Sequence, residues 1–291
     1  MVTFFTVPKP FVGHIGIIQE NALRSWRSAH PDSQVIVFGN EAGTAQVCER
    51  LALTHEKDIA TNSLGTPLLD AVFRRAQQLA RFPLLCYVNT DIIVPPGFAE
   101  LPPKVSAEPF LAVGSRWDLN VTLPINMSEP GWFDRLRADV ESEGRQHEPS
   151  GSDYFLYRCG DPVGELLPFA VGRPGWDNWM IYHARQLHVP VIDATQTWQI
   201  VHQNHDYAHV PNRRDDSWEG PEADENRRLF SGNVHPYTLN DATHRLQGDG
   251  VHRRFDAAFF VAALKSRLAL ARQESKNRRW LSTLHALVMG H

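Results

Sequence analysis

The chain is poor in cysteine: three in 291 residues, at positions 48, 86 and 159. So few, so far apart and odd in number, they build no disulfide framework and no CxxC metal pair. A reducing compartment, the cytoplasm, is the simpler expectation. Long apolar runs are missing too: no stretch approaches the roughly 20 residues that span a bilayer. The opening MVTFFTVPKPF has no basic leader, and Pro8 and Pro10 interrupt it, which is not the pattern of a signal peptide. No charge sign dominates. The formal net charge of -4 gives no reason to expect nucleic acid or an anionic surface as a global partner. Four catalytic signatures are also absent: GxxxxGK[ST], GxGxxG after the first strand, GxSxG and HExxH. Their absence disfavours P-loop ATPases, ordinary dehydrogenases, α/β-hydrolases and zincins.

What remains is an ordinary globular balance of 42% hydrophobic and 21% charged residues. The length suits one large α/β domain, or one domain with an appendage. Strand and helix signals alternate through the first hundred residues. Val2–Val7 is a β-prone run ending at Pro8. Ile17–Ala29 places Ile18, Ala22, Trp26 and Ala29 on one helical face. Val35–Phe38 is a short strand, Thr44–Leu53 a helix and Leu53–Glu56 an edge strand. Thr66-Pro67 predicts an N-cap and first turn for a helix running to Ala80. Leu84–Val88 is the next strand. This alternation predicts βαβ units in a mainly parallel sheet with helices on both faces.

Beyond Pro95-Pro96 the pattern changes. Phe110–Gly114, Tyr154–Tyr157 and Val189–Ile192 are strand-like, and Trp132–Glu143 and Asp177–Leu187 read as helices. Asp206–Gly250 is polar, with a helix start near Gly220-Pro221-Glu222, and is expected to be a covering loop. Phe255–Leu270 predicts an amphipathic helix with Phe255, Phe259, Ala262 and Ala263 on one face. The expected division is a core over residues 1–210, followed by a polar segment and C-terminal helices over 211–291.

Four clusters carry candidate chemistry. Asn89-Thr90-Asp91 ends the apolar run that begins at Leu84, so it places a carboxylate at the carboxyl edge of a sheet, where ligands bind in open α/β folds. Such an acid suits a divalent metal and the phosphates that metal holds. It also suits a turn before Pro95. Val171-Gly172-Arg173-Pro174-Gly175-Trp176-Asp177-Asn178-Trp179 makes a tight turn with two glycines and a proline and puts an acid between two aromatics at a helix start, fit for stacking on a sugar ring and for accepting a proton from a hydroxyl. An N-cap among core tryptophans fits the same pattern. His202-Gln203-Asn204-His205 follows a strand signal, and neutral imidazole is a good metal ligand. His209, further along, reads as a solvated loop residue. Ser150-Gly151-Ser152-Asp153 is a small-residue turn that sets Asp153 at a pocket wall or simply shapes the turn.

Together these clusters resemble glycosyltransferases of the GT-A fold, which transfer sugars from nucleotide diphosphates. LGTPLL (Leu64–Leu69), LLCYVNTDI, GWDNW and HQNHDYAH also look like a plant and bacterial glycosyltransferase-like branch. The resemblance covers about residues 1 to 210. It implies a metal, Mn or Mg, on Asp91 at the DxD position, with His202 or His205 as a late histidine ligand. Asn89 stands where the first acid of DxD belongs, and an amide is a weaker ligand. The resemblance further implies Asp177 as the base facing a hydroxyl acceptor, with inversion. Asp153, Trp176 and Asn178 would lie on the acceptor side. Thr6, Pro8, Lys9, Asn40 and Glu41 would line the nucleoside pocket, with Asn89 and Thr90 on the donor side. Arg116 faces the diphosphate or makes a surface ion pair. The donor expected is a UDP-sugar. Two other classes compete: a metal-dependent hydrolase built on His202, His205 and His209, and a non-catalytic nucleotide-sugar binding protein.

Overall fold

The computed structural model describes residues 1–106, 108–205, 219–230, 237–265 and 268. Thirteen named strands form two sheets among these residues. The first half supplies β1 (Val2–Thr6), α1 (Gly13–Ala29), β2 (Gln34–Phe38), α2 (Thr44–Arg50), β3 (Thr54–Glu56), α3 (Leu69–Leu79) and β4 (Leu84–Val88). Then come β5 (Ile92–Ile93), α4 (Pro103–Ser106), β6 (Leu111–Val113), β7 (Arg116–Leu119), α5 (Trp132–Glu143), β8 (Arg145–Gln146) and β9 (Tyr154–Arg158). The chain continues through α6 (Trp176–Gln186), β10 (Val191–Asp193), β11 (Ile200–Gln203), α7 (Pro221–Leu229), β12 (His244–Gln247) and β13 (Gly250–Arg253).

The large sheet has nine strands in the order β13-β12-β10-β6-β9-β4-β1-β2-β3. Only β9 and β13 run against the rest, so the sheet is mainly parallel, as the alternation of elements predicts. Its strands read as unbroken apolar runs because both faces are covered. Val2, Phe4, Cys86 and Val88 point to one face and meet Ala22, Leu23 and Trp26 of α1. Phe5, Leu85 and Tyr87 point to the other and meet Val72, Phe73 and Ala76 of α3, with Trp176 and Met180 of α6. The period-2 alternation of a strand thus divides one run of residues between two cores.

A second sheet of four strands, β5-β11-β7-β8, stands at the carboxyl edge of the first. Its apolar face, Ile93, Leu119 and Val201, packs on Trp132, Leu136 and Val140 of α5. Helix α1 starts at Gly13 rather than Ile17, α2 ends at Arg50 rather than Leu53, β10 is shifted to Val191–Asp193, and three differences from the sequence reading are larger. Helix α3 starts at Leu69, not at Thr66, because Pro67 and Leu68 are held in β-bridges to Thr61 and Ala170. The 206–250 region is not all covering loop: residues 244–253 build β12 and β13, which extend the large sheet at its edge. The C-terminal helix is present over 257–265, with Ala262 buried and Phe259 and Ala263 partly so, but Phe255 is 72% exposed and off that face. Among the described residues no helix is long and apolar enough to cross a membrane. The three cysteines are free thiols, two of them buried.

Candidate functional site

The turn after β4 and the second sheet enclose a cleft of about 750 Å³, lined at one end by Lys9, Asp91, His202 and His205 and at the other by Asp153, Asp177 and Asn178. Strand register explains the first end. β5 pairs antiparallel with β11 so that His202 faces Ile92, directly after Asp91. Gln203 N–H also donates to the Asp91 carbonyl at 3.1 Å, which closes the pair. On its other side β11 runs parallel to β7, and His202 stands opposite Asp118. Three strands thereby place Asp91, His202 and Asp118 side by side.

Ligand atoms of Asp91, His202 and His205 lie within 4.8 Å of one another. Asp91 Oδ2 is 3.2 Å from His205 Nε2 and 3.9 Å from both His202 Nε2 and Lys9 Nζ. Lys9 Nζ is also 3.3 Å from His205 Nε2. His205 Nε2 can donate to Asp91 or accept from Lys9, but not both at once. Asp91 Oδ1 is buried without a hydrogen-bond partner. Two imidazoles and a carboxylate with a spare oxygen fit a divalent cation of the Mn, Fe or Zn type. Burial pushes the Asp91 carboxyl upward, but the hydrogen bond from His205 and the charges of His202 and Lys9 outweigh it and hold the group well below the usual carboxylate range.

Lys9 is positioned by a device the sequence did not advertise. Gln19, buried on α1, accepts from Lys9 N–H at 2.7 Å and donates to the Lys9 carbonyl at 2.8 Å. The β1–α1 loop is thus fixed by its backbone, and the Lys9 side chain is the part left to face the cleft.

Arg116 and Asp153 link the two ends. Arg116 Nε donates to Asp118 Oδ1 at 2.9 Å, and its Nη1 to Asp153 Oδ2 at 2.7 Å. The remaining Asp153 oxygen accepts from Asn89 Nδ2 at 2.8 Å. Arg116 therefore lies in the cleft wall, committed to two carboxylates. Asn89 spends its amide N–H on Asp153.

Asp177 sits in the first turn of α6, one residue after Trp176 and two after the N-cap Gly175, whose φ of 98° is a left-handed geometry that glycine favours. A Cβ on Gly175 would also meet the Phe230 ring at 2.3 Å. The helix start is thus tucked under the end of α7. That helix is tied down in turn: Asn226 bonds both the N–H and the carbonyl of Ala170, and Glu222 takes the Arg173 guanidinium. Burial raises the Asp177 carboxyl to about 6, helped by the nearby Asp153 charge and resisted by backbone N–H groups of Asn178, Asp177 and Ser152.

The other expected site residues fall into two groups. Pro8, Lys9, Asn89, Thr90, Asp91, Arg116, Asp153, Trp176, Asp177, Asn178, His202 and His205 line the cleft. Trp176 does so as its floor: it is 6% exposed and packs edge-on against Tyr87. Trp179 lies in the same core, stacked on His183. Asn178 gives its amide N–H groups to the carbonyls of Ser150 and Tyr237. Thr6 is fully buried below the cleft, and Asn40 and Glu41 are exposed outside its lining. His209 lies outside the described residues. Asp118, His147 and Arg173 were not singled out from sequence. Only strand register, which a single sequence does not display, puts Asp118 beside His202.

No family model matches the chain, and no curated protein does. Several solved structures are similar. One is the mannosyltransferase PcManGT of Pyrobaculum calidifontis in complex with GDP-Man and Mn2+, at 12% identity and a TM-score of 0.40, over 99% of this chain and 80% of that one. Another is the glucosyl-3-phosphoglycerate synthase of M. tuberculosis, at 11% identity and 0.42, over 89% and 88%. A third is S. aureus TarS 1-349 in complex with UDP-GlcNAc, at 19% identity and 0.30, where the match spans 41% of this chain and 36% of that one.

Proposed function

We propose that this chain is a metal-dependent glycosyltransferase of the GT-A type, moving a sugar from a nucleotide diphosphate, a UDP-sugar in the leading form, to a hydroxyl acceptor. The observation that carries the reading is one cleft with two differently tuned ends. At one end Asp91, His202 and His205 converge with a spare buried carboxylate oxygen. At the other, Asp177 has its carboxyl raised to about 6. These are the groups the motif resemblance assigns to metal and base.

Asp91, His202 and His205 would hold a divalent ion, and of the expected Mn or Mg the two imidazoles suit Mn; when bound it would neutralise charge developing on the leaving diphosphate. Lys9 adds a positive charge on the same side, so the donor diphosphate belongs at this end. The acceptor hydroxyl belongs beside Asp177. Its oxygen attacks the anomeric carbon as the bond from that carbon to the diphosphate oxygen breaks, and its proton passes to the Asp177 carboxylate. One direct displacement inverts the anomeric centre. A carboxyl near 6 is mostly ionised at neutral pH yet basic enough to take that proton. The wall between, Arg116 with Asp153 and Asn89, fixes the relative placement of the two ends. A cytoplasmic setting, where thiols stay reduced, fits the same reading.

A thermal-shift screen of nucleotides and nucleotide sugars, with and without Mn2+, tests it. The expected result is a shift by UDP or a UDP-sugar that requires the metal. Full transfer activity with the metal chelated away would sink the mechanism.

A further inference from the structure

Among the described residues, Asp118 is the carboxylate beside His202 that the reaction above does not use. It stands opposite His202 across the parallel β7–β11 pair. Its Oδ1 lies 3.0 Å from His202 Nδ1, a close ion-pair approach that falls short of an aligned hydrogen bond in this conformation. The same oxygen accepts from Arg116 Nε at 2.9 Å, and Oδ2 is 3.2 Å from His147 Nδ1. His202 thus has a carboxylate at each ring nitrogen: Asp118 at Nδ1, and Asp91 at 3.9 Å from Nε2.

A neutral imidazole carries one proton on one nitrogen, and its partner decides which. A carboxylate at Nδ1 keeps the proton there, and the Nε2 lone pair is then free to face Asp91 and His205. Metal-ligating histidines are commonly oriented this way, by a carboxylate on the nitrogen away from the ion. Arg116 braces the carboxylate from behind. Its guanidinium is paired with both Asp118 and Asp153, so neither is free to turn.

We infer that Asp118 is a positioning residue of the metal site: through Oδ1 it holds His202 in the form protonated on Nδ1 and aims Nε2 at the cation. The inference rests on the metal-binding reading given above. Its rival is that Asp118 only neutralises Arg116. That role would change thermal stability and leave metal affinity alone.

Mn2+ binding to purified protein, followed by electron paramagnetic resonance titration of free ion, separates the two. Asp118→Asn and Asp118→Ala should each weaken Mn2+ binding by about 10- to 100-fold. The effect should run through His202: in a His202→Ala background, adding Asp118→Ala should change the affinity by less than about twofold. A second measurement needs no substitution at Asp118. In 15N-histidine-labelled protein at pH 8 without metal, the His202 ring, assigned by its loss in His202→Gln, should carry its proton on Nδ1. A proton on Nε2, or Mn2+ affinity undiminished in both Asp118 variants, would overturn the inference and leave the metal reading standing. Wild-type protein that binds no Mn2+ would overturn both.

Discussion

The two ends of the cleft each bury a carboxyl group and tune it in opposite directions. At Asp91 a histidine hydrogen bond and the charges of a second histidine and a lysine overcome the burial penalty, and the group stays ionised. At Asp177 no cation among the described residues offsets burial; burial and the Asp153 charge prevail, and the carboxyl rises to about 6. Burial alone therefore predicts nothing about an acid's charge; its company decides. One end keeps its carboxylate ionised beside a lysine and two histidines, and the other raises its carboxyl; the proposed transfer uses that contrast.

Removing the end that holds charge should have the largest effect. Asp91→Ala should lower transfer by about 10³-fold or more, since both the cation and its orienting oxygen are lost. It also removes the carboxylate that faces the half-exposed Lys9, so calorimetry should show a loss of about 1 kcal/mol or less in stability. Near-normal transfer in this variant would erase the distinction between the two ends.

Asp177→Asn should lower kcat by about 10²- to 10⁴-fold with Mn2+ binding retained. The same substitution should stabilise the protein. A carboxyl whose folded value is raised contributes stability below the unfolded value near 3.8, and that contribution is lost as pH rises through about 6. At pH 8 the wild-type group therefore costs on the order of 3 kcal/mol. Asp177→Asn should raise Tm at pH 8 and have little effect on it at pH 3.5. An Asp177→Asn variant less stable than wild type at pH 8 would mean that the carboxyl is not perturbed as described.

The pH profile sharpens the contrast. kcat/KM should fall about tenfold per pH unit below about 6 as Asp177 takes up its proton. Asp91, held far lower, should contribute no break in that range. The smallest effect is expected at Gln19, which lines the cleft but holds the Lys9 backbone rather than either tuned carboxyl group. Gln19→Ala removes both backbone bonds that fix Lys9 and should raise KM for the donor by about tenfold while leaving kcat within about threefold. A larger fall in kcat than in affinity would place Lys9 in the chemical step.

The sequence made the core of this arrangement readable, and its limits have a common cause. β4 and α5 fall where periodicity put them, because apolar spacing over several residues reports local geometry. Asp91 and Asp177 were readable as candidates because one follows a strand end and the other sits at a helix start. Asp118, His147 and Gln19 were not, since what matters about them is which strand or helix lies alongside. β7 and β8 are short and half polar, and nothing in their spacing marks them as strands. Thr66-Pro67 misled because two bridges to distant residues claim the backbone that a helix start would need. Trp176 has the composition of a sugar platform, yet neighbouring rings in the core occupy its surroundings.

The placement of β11 between β5 and β7 has a further consequence. Neighbouring residues on a strand face opposite sides, so Val201 fills the third core while His202 faces Asp91 and Asp118. A slip of one residue would exchange them, burying an imidazole among Ile93, Leu119 and Trp132 and setting an isopropyl group between two carboxylates. Misalignment is thus penalised on both faces at once. The strand acts as a two-sided key: a chain that has folded into the wrong register has also taken His202 from between Asp91 and Asp118.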